Sequence, residues 1–197
     1  MARTRVQIVV ITALFITSGL FLPETLRAAS PTPRPMEASM KITSPAFLNE
    51  YEIPRQFTGE GKELSPPLTW TGLPEGTEEL ALVVDDPDAP TSKPWVHWVI
   101  YGIAPNTAGL PQGVPPEDRI NTPLQAMQGK NSANRTGYQG PMPPPGHGWH
   151  RYFFRLYALN TKLKLKPGIT KDELLKVMAG HIIDEAVLMG RYQRFGS

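Results

Sequence analysis

Four side chains in the middle of this sequence could together form a small polar site: Asp86, His97, His150 and Tyr152. Imidazole and phenol groups donate hydrogen bonds to phosphate or carboxylate oxygens. A carboxylate in such a site repels an anion unless a histidine beside it is protonated or the ligand also carries a cation. The combination predicts a pocket for a small anion, or for a zwitterion that carries a cationic group as well.

The loop before His150 supports this interpretation. Residues 138–149 read Y-Q-G-P-M-P-P-P-G-H-G-W. Prolines fix φ and glycines permit close approach or positive φ, so we expect a stiff loop that exposes backbone N–H groups to an anion. The strand after the loop alternates and places His150 and Tyr152 on one face. Neither His147, in the loop, nor His181, which we place on a C-terminal helix, is expected to contact the ligand directly.

Each candidate also has a purely structural explanation. An aspartate that precedes a proline, as Asp86 does, commonly bonds the backbone of its own turn. A histidine between aromatic residues on a strand, as His97 is, is more often a packed core residue satisfied by one or two hydrogen bonds. His150 and Tyr152 are harder to explain in this way because of the loop that precedes them.

A hydrolase is the alternative interpretation, since an aspartate and a histidine can serve as orienting group and base on a phosphate or carboxylate ester. The sequence contains no cysteine and no G-x-S-x-G, H-E-x-x-H or phosphate-loop motif, so it offers no activated nucleophile. A metal centre of Asp86, His97 and His150 would have permitted ligand types but lacks tight ligand spacing. We therefore expect a non-catalytic binding protein with neither a metal nor a cofactor.

Three ordered motifs carry a resemblance to a known family: D-P-D-A-P, W-x-H and G-P-x-P-P-x-G-x-G-x-H-R-Y. They resemble the phosphatidylethanolamine-binding protein family, also called the Raf kinase inhibitor protein family, and its bacterial branch in particular. The similarity extends over residues 40–194. One departure is Met142, where bacterial relatives often have cysteine.

The resemblance implies a fold, a site and a role. The fold is a two-sheet antiparallel β-sandwich with peripheral helices. In the family's ligand pocket, Asp86, His97, His150 and Tyr152 match the polar positions, and Trp95 and Pro144 match the walls. The implied ligand is a small anion or phospholipid head group, and the implied role includes inhibition or modulation of a protein partner.

The residue pattern predicts three strands that position these side chains. Residues 79–85 form a nearly continuous apolar run, typical of a central strand buried on both faces. Residues 95–101 form the next strand, which should pair with it and place Trp95, His97, Val99 and Tyr101 on one face. Residues 151–158 form the third. Residues 104–135 are expected to be a long loop that folds over a sheet edge and leads into the site loop.

One helix is predicted near the C-terminus. Thr170 and Glu173 form a capping box, and a helix should follow from Lys171 to about Ile182. The family resemblance implies that residues 186–194 then return to the sheet. Short strands, Gly/Pro turns and one late helix indicate a mainly β protein, an antiparallel sandwich or barrel.

The N-terminus predicts export. Residues 1–29 contain Arg3, Arg5 and an apolar run over residues 6–22, typical of a signal peptide. Residues 30–39 form a proline-rich spacer, and residues 40–197 form one domain.

The predicted mature chain has no net charge. Removing the three arginines and one glutamate of the signal peptide from 20 basic and 18 acidic residues leaves 17 of each. Such balance argues against a nucleic-acid partner. We expect a periplasmic or secreted protein with at most peripheral membrane contact.

Overall fold

The computed structural model of the protein describes residues 39–122 and 124–196. The predicted signal peptide and nearly all of the predicted spacer lie outside these ranges, so those assignments stay predictions, as does the start of the domain. A 3₁₀ turn (Arg55–Phe57) and one α-helix, α1 (Lys171–Met178), accompany the strands. The strands are β1 (Lys41–Thr43), β2 (Leu68–Thr71), β3 (Glu79–Asp86), β4 (Trp95–Ile103), β5 (Gly109–Leu110), β6 (Arg119–Ile120), β7 (Ala126–Gln128), β8 (His150–Leu159) and β9 (Ile182–Tyr192).

The strands form two antiparallel sheets, as predicted. The smaller sheet has the order β1-β2-β5, and the larger has the order β6-β7-β4-β3-β8-β9. A continuous apolar core lies between them and contains Ile42 and Trp70 from the small sheet together with Leu82, Ile100 and Phe154 from the large one. No helix in the described part of the chain is long and apolar enough to cross a membrane.

Strand β3 is the central strand that its sequence predicts. It pairs with β4 on one side and β8 on the other, and all eight of its residues are buried. Leu82 contributes to the core between the sheets, whereas Val83 faces a second cluster with Leu174 and Met178 of helix α1. Complete burial of each of these two helix side chains contributes about 1.5–3 kcal/mol. The strand therefore delivers Asp86 from a rigid, doubly covered base.

Strand β4 departs from the predicted alternation at the position that matters for the site. Val84 of β3 pairs with Trp98, but the next residue of β3 pairs with Val96, so His97 is an extra residue in a β-bulge. Beyond the bulge the two faces exchange. Val96 packs with the helix-side cluster that holds Val99, whereas His97 lies against Tyr152 on the other side. The prediction that His97 shares a face with Val99 and Tyr101 is wrong for this reason.

The segment predicted as a long loop, residues 104–135, contains three short strands. Strand β5 completes the small sheet by pairing with β2, and β7 extends the large sheet by pairing with β4. Strand β6 then pairs with β7 and forms the edge. Strands of two or three residues are too short for an alternating pattern to reveal them, so the sequence showed only the turns between them.

Helix α1 begins where predicted and ends four residues early. The Thr170 side chain accepts from the backbone N–H of Glu173, and the Glu173 side chain accepts from the backbone N–H of Thr170, which confirms the capping box. Gly180 has φ +81°, a conformation that stops a helix. His181 consequently lies after the helix, not on it, and β9 starts at Ile182 instead of position 186.

Candidate functional site

The six residues proposed from the sequence all line one pocket of about 330 Å³: Asp86, Trp95, His97, Pro144, His150 and Tyr152. They come from the end of β3, the bulge of β4, the start of β8 and the loop before it. Three strand ends therefore meet at one end of the large sheet. Whether these side chains bind a ligand stays a prediction.

Asp86 has both roles that the sequence allowed. Its Oδ1 accepts from the backbone N–H of Asp88 at 2.8 Å, so the carboxylate does cap its own turn. Its Oδ2 lies 2.7 Å from Nδ1 of His150, and both side chains are almost completely buried. Since a carboxylate only accepts, Nδ1 of His150 carries a proton. The turn thus orients Asp86, and Asp86 orients the imidazole of His150.

The second nitrogen of His150 is also engaged. Its Nε2 lies 2.7 Å from Nδ1 of His147, an exposed residue of the loop. One proton between the two imidazoles makes this a hydrogen bond. A hydrogen-bonded chain of Asp86, His150 and His147 therefore runs from the buried carboxylate to the surface. Sequence reasoning assigned no role to His147, and only its spacing of three residues from His150 could have indicated this contact.

His97 is held in one tautomer by the loop. Its Nδ1 lies 2.7 Å from the backbone carbonyl of Gln139, and because a carbonyl only accepts, Nδ1 is the protonated nitrogen. Burial lowers the pKa of His97 to about 4, although the carboxylates of Asp86 and Asp85 oppose this change. The ring is therefore neutral near pH 7, and its Nε2 is an acceptor. Of the two ways to offset Asp86 that the sequence left open, a protonated histidine is therefore not provided by His97 in the unliganded protein, because desolvation outweighs the attraction of the carboxylates.

Tyr152 contributes a donor with no partner. Its side chain is 1% exposed, and its hydroxyl makes no hydrogen bond of acceptable geometry within the described residues, although the carboxylate of Asp86 lies close enough to interact with it. Burial, with the negative charge of Asp86 adding to it, raises the pKa of the Tyr152 phenol well above its usual range, so the hydroxyl stays protonated. The ring packs edge-on against His97 at 5.1 Å. A buried hydroxyl without a partner costs about 1–3 kcal/mol, which a ligand acceptor would recover.

Gln139 is a pocket residue that sequence reasoning missed. Nε1 of Trp95 donates to its side-chain Oε1 at 3.1 Å, and because an indole N–H only donates, this contact fixes the orientation of the amide. The amide nitrogen of Gln139 remains as a donor. Its position directly before Gly140-Pro141 of the site loop was the available signal. Trp95 is accordingly a wall that also orients a polar group.

The loop itself supplies fewer backbone donors than expected. Prolines have no N–H, and the N–H groups of Gly140, Gly146 and His147 donate to Glu63, Arg194 and Pro144 respectively. These three N–H groups are therefore not offered to a ligand, and the expectation of exposed loop donors stays a prediction for other N–H groups of the loop, such as those of Met142, Gly148 and Trp149. Gly140 is required for packing, because a Cβ there would lie 2.7 Å from the backbone of Thr58.

The C-terminal segment holds this loop in place. The backbone carbonyl of Arg194 accepts from Gly146 at 2.9 Å, and its guanidinium donates to the carbonyl of Pro143 at 3.3 Å. Nε of Arg194 also lies 3.1 Å from Glu60, which itself accepts from the hydroxyl of Tyr192 at 2.6 Å. The loop is thus bound to the segment that follows strand β9 as well as to β4.

The charge balance of the pocket is unusual for an anion site. The described residues that line it include no lysine or arginine. The nearest guanidinium on β8, that of Arg151, forms a two-bond ion pair with Asp88 at 2.7 and 2.8 Å. Within the described ranges, no group of three or more histidine, aspartate or glutamate side chains is arranged to hold a metal ion.

A sequence model of the family described as phosphatidylethanolamine-binding protein matches residues 43–193. The chain belongs to the phosphatidylethanolamine-binding protein family. The resemblance that three motifs indicated is thereby confirmed, and each of the three motifs contributes residues to the lining of the pocket.

Known relatives and a solved structure agree with this assignment. A UPF0098 protein of Methanothermobacter thermautotrophicus is 48% identical over 155 residues, which cover 79% of this chain and 99% of the relative. LppC of Mycobacterium tuberculosis, a lipoprotein candidate by name, is 39% identical over 173 residues, covering 88% of this chain and 82% of LppC. A crystal structure of a Chlamydia trachomatis homologue of phosphatidylethanolamine-binding protein is 38% identical, with a TM-score of 0.71 over 79% of this chain and 98% of that one.

Met142 marks where this member of the phosphatidylethanolamine-binding protein family departs from the expected bacterial pattern. Its side chain is 46% exposed and lines the pocket mouth. A Cβ on Gly59 would lie 3.0 Å from its sulfur, so the thioether lies against this glycine. The substitution changes the rim of the pocket and leaves the polar groups at its base in place.

Proposed function

We propose that this domain is a non-catalytic binding protein whose pocket holds a small phosphate- or carboxylate-type anion, such as the head group of a phospholipid. The observation that carries the proposal is the buried, unpartnered hydroxyl of Tyr152. It lines the same pocket as His97, His150 and the amide of Gln139. A ligand oxygen would satisfy this hydroxyl, which the described residues do not.

A zwitterionic head group fits the charges of the pocket better than a simple anion. Asp86 is buried beside the proposed anion position and its Oδ2 is shared with His150. The ammonium group of phosphoethanolamine would offset this negative charge. The rim of the pocket is apolar, with Met142, Pro143 and Pro144, and can contact the non-polar part of a larger ligand.

The hydrolase alternative is less well supported by the geometry. Both nitrogens of His150 are engaged, one by Asp86 and one by His147, so the orienting contact exists but the base faces another imidazole. Among the described lining residues, two carry a hydroxyl, Tyr152 and Thr91. The hydroxyl of Thr91 donates to the carbonyl of Lys93 at 2.6 Å. We therefore assign no catalytic residue.

The proposal extends to location and partners. We propose that the chain is exported, on the basis of the N-terminal sequence, and a relative that is a lipoprotein candidate by name supports this. Family membership supports a protein partner that the domain inhibits or modulates. The balanced charge of the domain supports neither a nucleic-acid partner nor more than peripheral membrane contact.

The test is a titration with phosphoethanolamine, followed by NMR, of the wild type and of Tyr152→Phe. Loss of one hydrogen bond to a charged group costs about 1.5–3 kcal/mol, so the affinity should fall roughly ten- to a hundredfold. Stability of the unliganded variant should stay the same or rise, since the deleted hydroxyl has no partner. Tyr157→Phe is the matched control, because Tyr157 is buried in the helix-side cluster away from the pocket. Equal affinities of wild type and Tyr152→Phe would contradict the proposal.

A further inference from the structure

The polar groups around the pocket differ in what they can offer a phosphate. Tyr152 and the amide nitrogen of Gln139 are donors. Nε2 of His97 is an acceptor, because the carbonyl of Gln139 holds the ring proton on Nδ1 at 2.7 Å. Asp86 is an acceptor as well. The site thus presents donors to one part of a ligand and lone pairs to another.

The carboxylates near His97 favour a proton on its Nε2, but burial of the ring opposes it more strongly. The ring is 4% exposed and lies between the loop, β3 and β8. The titratable groups facing it are Asp85 and Asp86 from β3 and His150 and Tyr152 from β8. Asp85 is engaged by Lys171 and Arg155, and its influence is therefore offset. Desolvation prevails over the remaining attraction and lowers the pKa of His97 to about 4.

A fully ionised phosphate fits this arrangement poorly. A phosphate dianion has no hydrogen to donate, so one of its oxygens would face the lone pair of His97 Nε2 and another the carboxylate of Asp86. No lysine or arginine among the described lining residues offsets its charge. A singly protonated phosphate carries one negative charge fewer and one hydroxyl, which is a donor.

We propose that the pocket takes its phosphate ligand as the monoanion, with the ligand hydroxyl donating to Nε2 of His97 while Tyr152 and Gln139 donate to its unprotonated oxygens. This inference rests on the proposed function and narrows it, because a phosphate that keeps a hydroxyl is free phosphate or a monoester such as free phosphoethanolamine, whereas the phosphate of an intact phospholipid is a diester without one. No bond is made or broken, and the ligand takes up its proton from solvent. A carboxylic acid in its protonated form satisfies the same set of groups.

Two small probes separate the protonation of the ligand from that of the protein. The monoanion of monomethyl phosphate loses its second proton with a pKa of about 6 and becomes a dianion. Dimethyl phosphate has no hydroxyl and stays a monoanion at both pH values. Titrations followed by NMR at pH 5.5 and 7.5 should show monomethyl phosphate binding roughly 25-fold more weakly at the higher pH, following its monoanion fraction. Dimethyl phosphate should bind weakly at both values.

A variant identifies the acceptor. His97→Asn keeps a side-chain N–H that can donate to the Gln139 carbonyl and removes Nε2. It should lose the preference for monomethyl over dimethyl phosphate at pH 5.5. His181→Asn is the matched control, because His181 is exposed and lies at the opposite end of strand β9 from the residue that pairs with His150. This control should retain the wild-type preference.

The results also distinguish the two proposals. Monomethyl phosphate binding that is equal or stronger at pH 7.5 would show that the dianion is the ligand, and would overturn this inference while leaving the proposed function standing. If the affinity for dimethyl phosphate also decreased between pH 5.5 and 7.5, the titrating group would belong to the protein and not to the ligand. That result would overturn this inference too. No saturation by either probe at any pH would contradict both proposals.

Discussion

The backbone N–H of Gln139 donates to the carbonyl of His97 at 2.8 Å, and Nδ1 of His97 donates to the carbonyl of Gln139 at 2.7 Å. This pair of hydrogen bonds joins the bulge of β4 to the start of the site loop. The same two residues therefore fix the position of the loop and the tautomer of the His97 imidazole. The architecture of the pocket and its hydrogen-bonding character are therefore coupled.

His150 and His147, the two histidines of the hydrogen-bonded chain that starts at Asp86, should differ in their contribution to stability. His150→Ala leaves the buried Oδ2 of Asp86 without its partner, so the free energy of unfolding at pH 7 should fall by about 1.5–3 kcal/mol. His147→Ala removes an exposed side chain and should cost less than about 1 kcal/mol. Urea unfolding followed by circular dichroism measures both. A loss as large for His147→Ala as for His150→Ala would contradict this assignment of roles.

The lowered pKa of His97 predicts that the protein becomes less stable as the pH falls. Its pKa is about 4 in the folded protein, against about 6.5 for an unperturbed histidine. The unfolded chain therefore binds a proton first as pH falls. The free energy of unfolding therefore contains the full contribution of neutral His97 above about pH 6.5. This contribution falls progressively between pH 6.5 and pH 4, by about 3 kcal/mol in total.

The measurement compares urea unfolding of wild type and His97→Asn between pH 7.5 and 4.5. Carboxylates common to both proteins cancel in the difference. The wild type should lose up to about 1.4 kcal/mol more per pH unit below pH 6 than the variant does. Parallel pH profiles would show that His97 is not a buried neutral residue.

Gly140 should tolerate no side chain. A Cβ at this position would lie 2.7 Å from the backbone carbon of Thr58 and 2.8 Å from the backbone oxygen of Phe57, neither of which can move without displacing the chain. Gly140→Ala should lower the free energy of unfolding by about 1–3 kcal/mol and should weaken phosphoethanolamine binding, because the loop must shift. Gly196→Ala is the control, since its Cβ would meet neighbours only at 3.8 Å. Equal stability of the two variants would rule out this steric constraint.

Much of the large sheet could be predicted from the sequence because its strands follow simple patterns. The apolar run of β3 indicated burial on both faces, and β8 alternates as predicted, with Tyr152 and Phe154 buried and Arg151 exposed. The six pocket residues came from motif resemblance together with strand ends. That they converge reflects the antiparallel pairing of β3 with β4 and β8.

The features that sequence reasoning missed depend on contacts between distant segments. The bulge at His97 arises from pairing with β3 and leaves no trace in the local alternation. The aromatic neighbours of His97 indicated a packed ring, but not that desolvation would outweigh the nearby carboxylates and lower its pKa. The backbone N–H of Gly146 donates to the carbonyl of Arg194, 48 positions away in the sequence, and is therefore not one of the free loop donors that the sequence predicts. Local patterns thus predicted the long central strands and the start of the helix, but not the short strands or the polar partners.

Asp86 should decide between a simple anion and a zwitterion. Asp86→Asn removes the negative charge that opposes a phosphate and that would attract an ammonium group. The variant should therefore bind monomethyl phosphate more tightly than the wild type and phosphoethanolamine relatively less tightly. We expect the ratio of the two affinities to shift by roughly tenfold, equivalent to about 1.4 kcal/mol.

The asparagine in this variant can accept at one oxygen only, whereas Asp86 accepts from both Asp88 and His150. Some stability will be lost for this reason, and the comparison of two ligands on the same variant removes that effect. Calorimetric titrations at pH 7, where phosphoethanolamine carries its ammonium group, give both affinities. Asp88→Asn is the matched control, because Asp88 lies next to the pocket and pairs with Arg151 without lining it. An unchanged ratio in Asp86→Asn, with the wild-type ratio in Asp88→Asn, would mean that no cation of the ligand lies near Asp86.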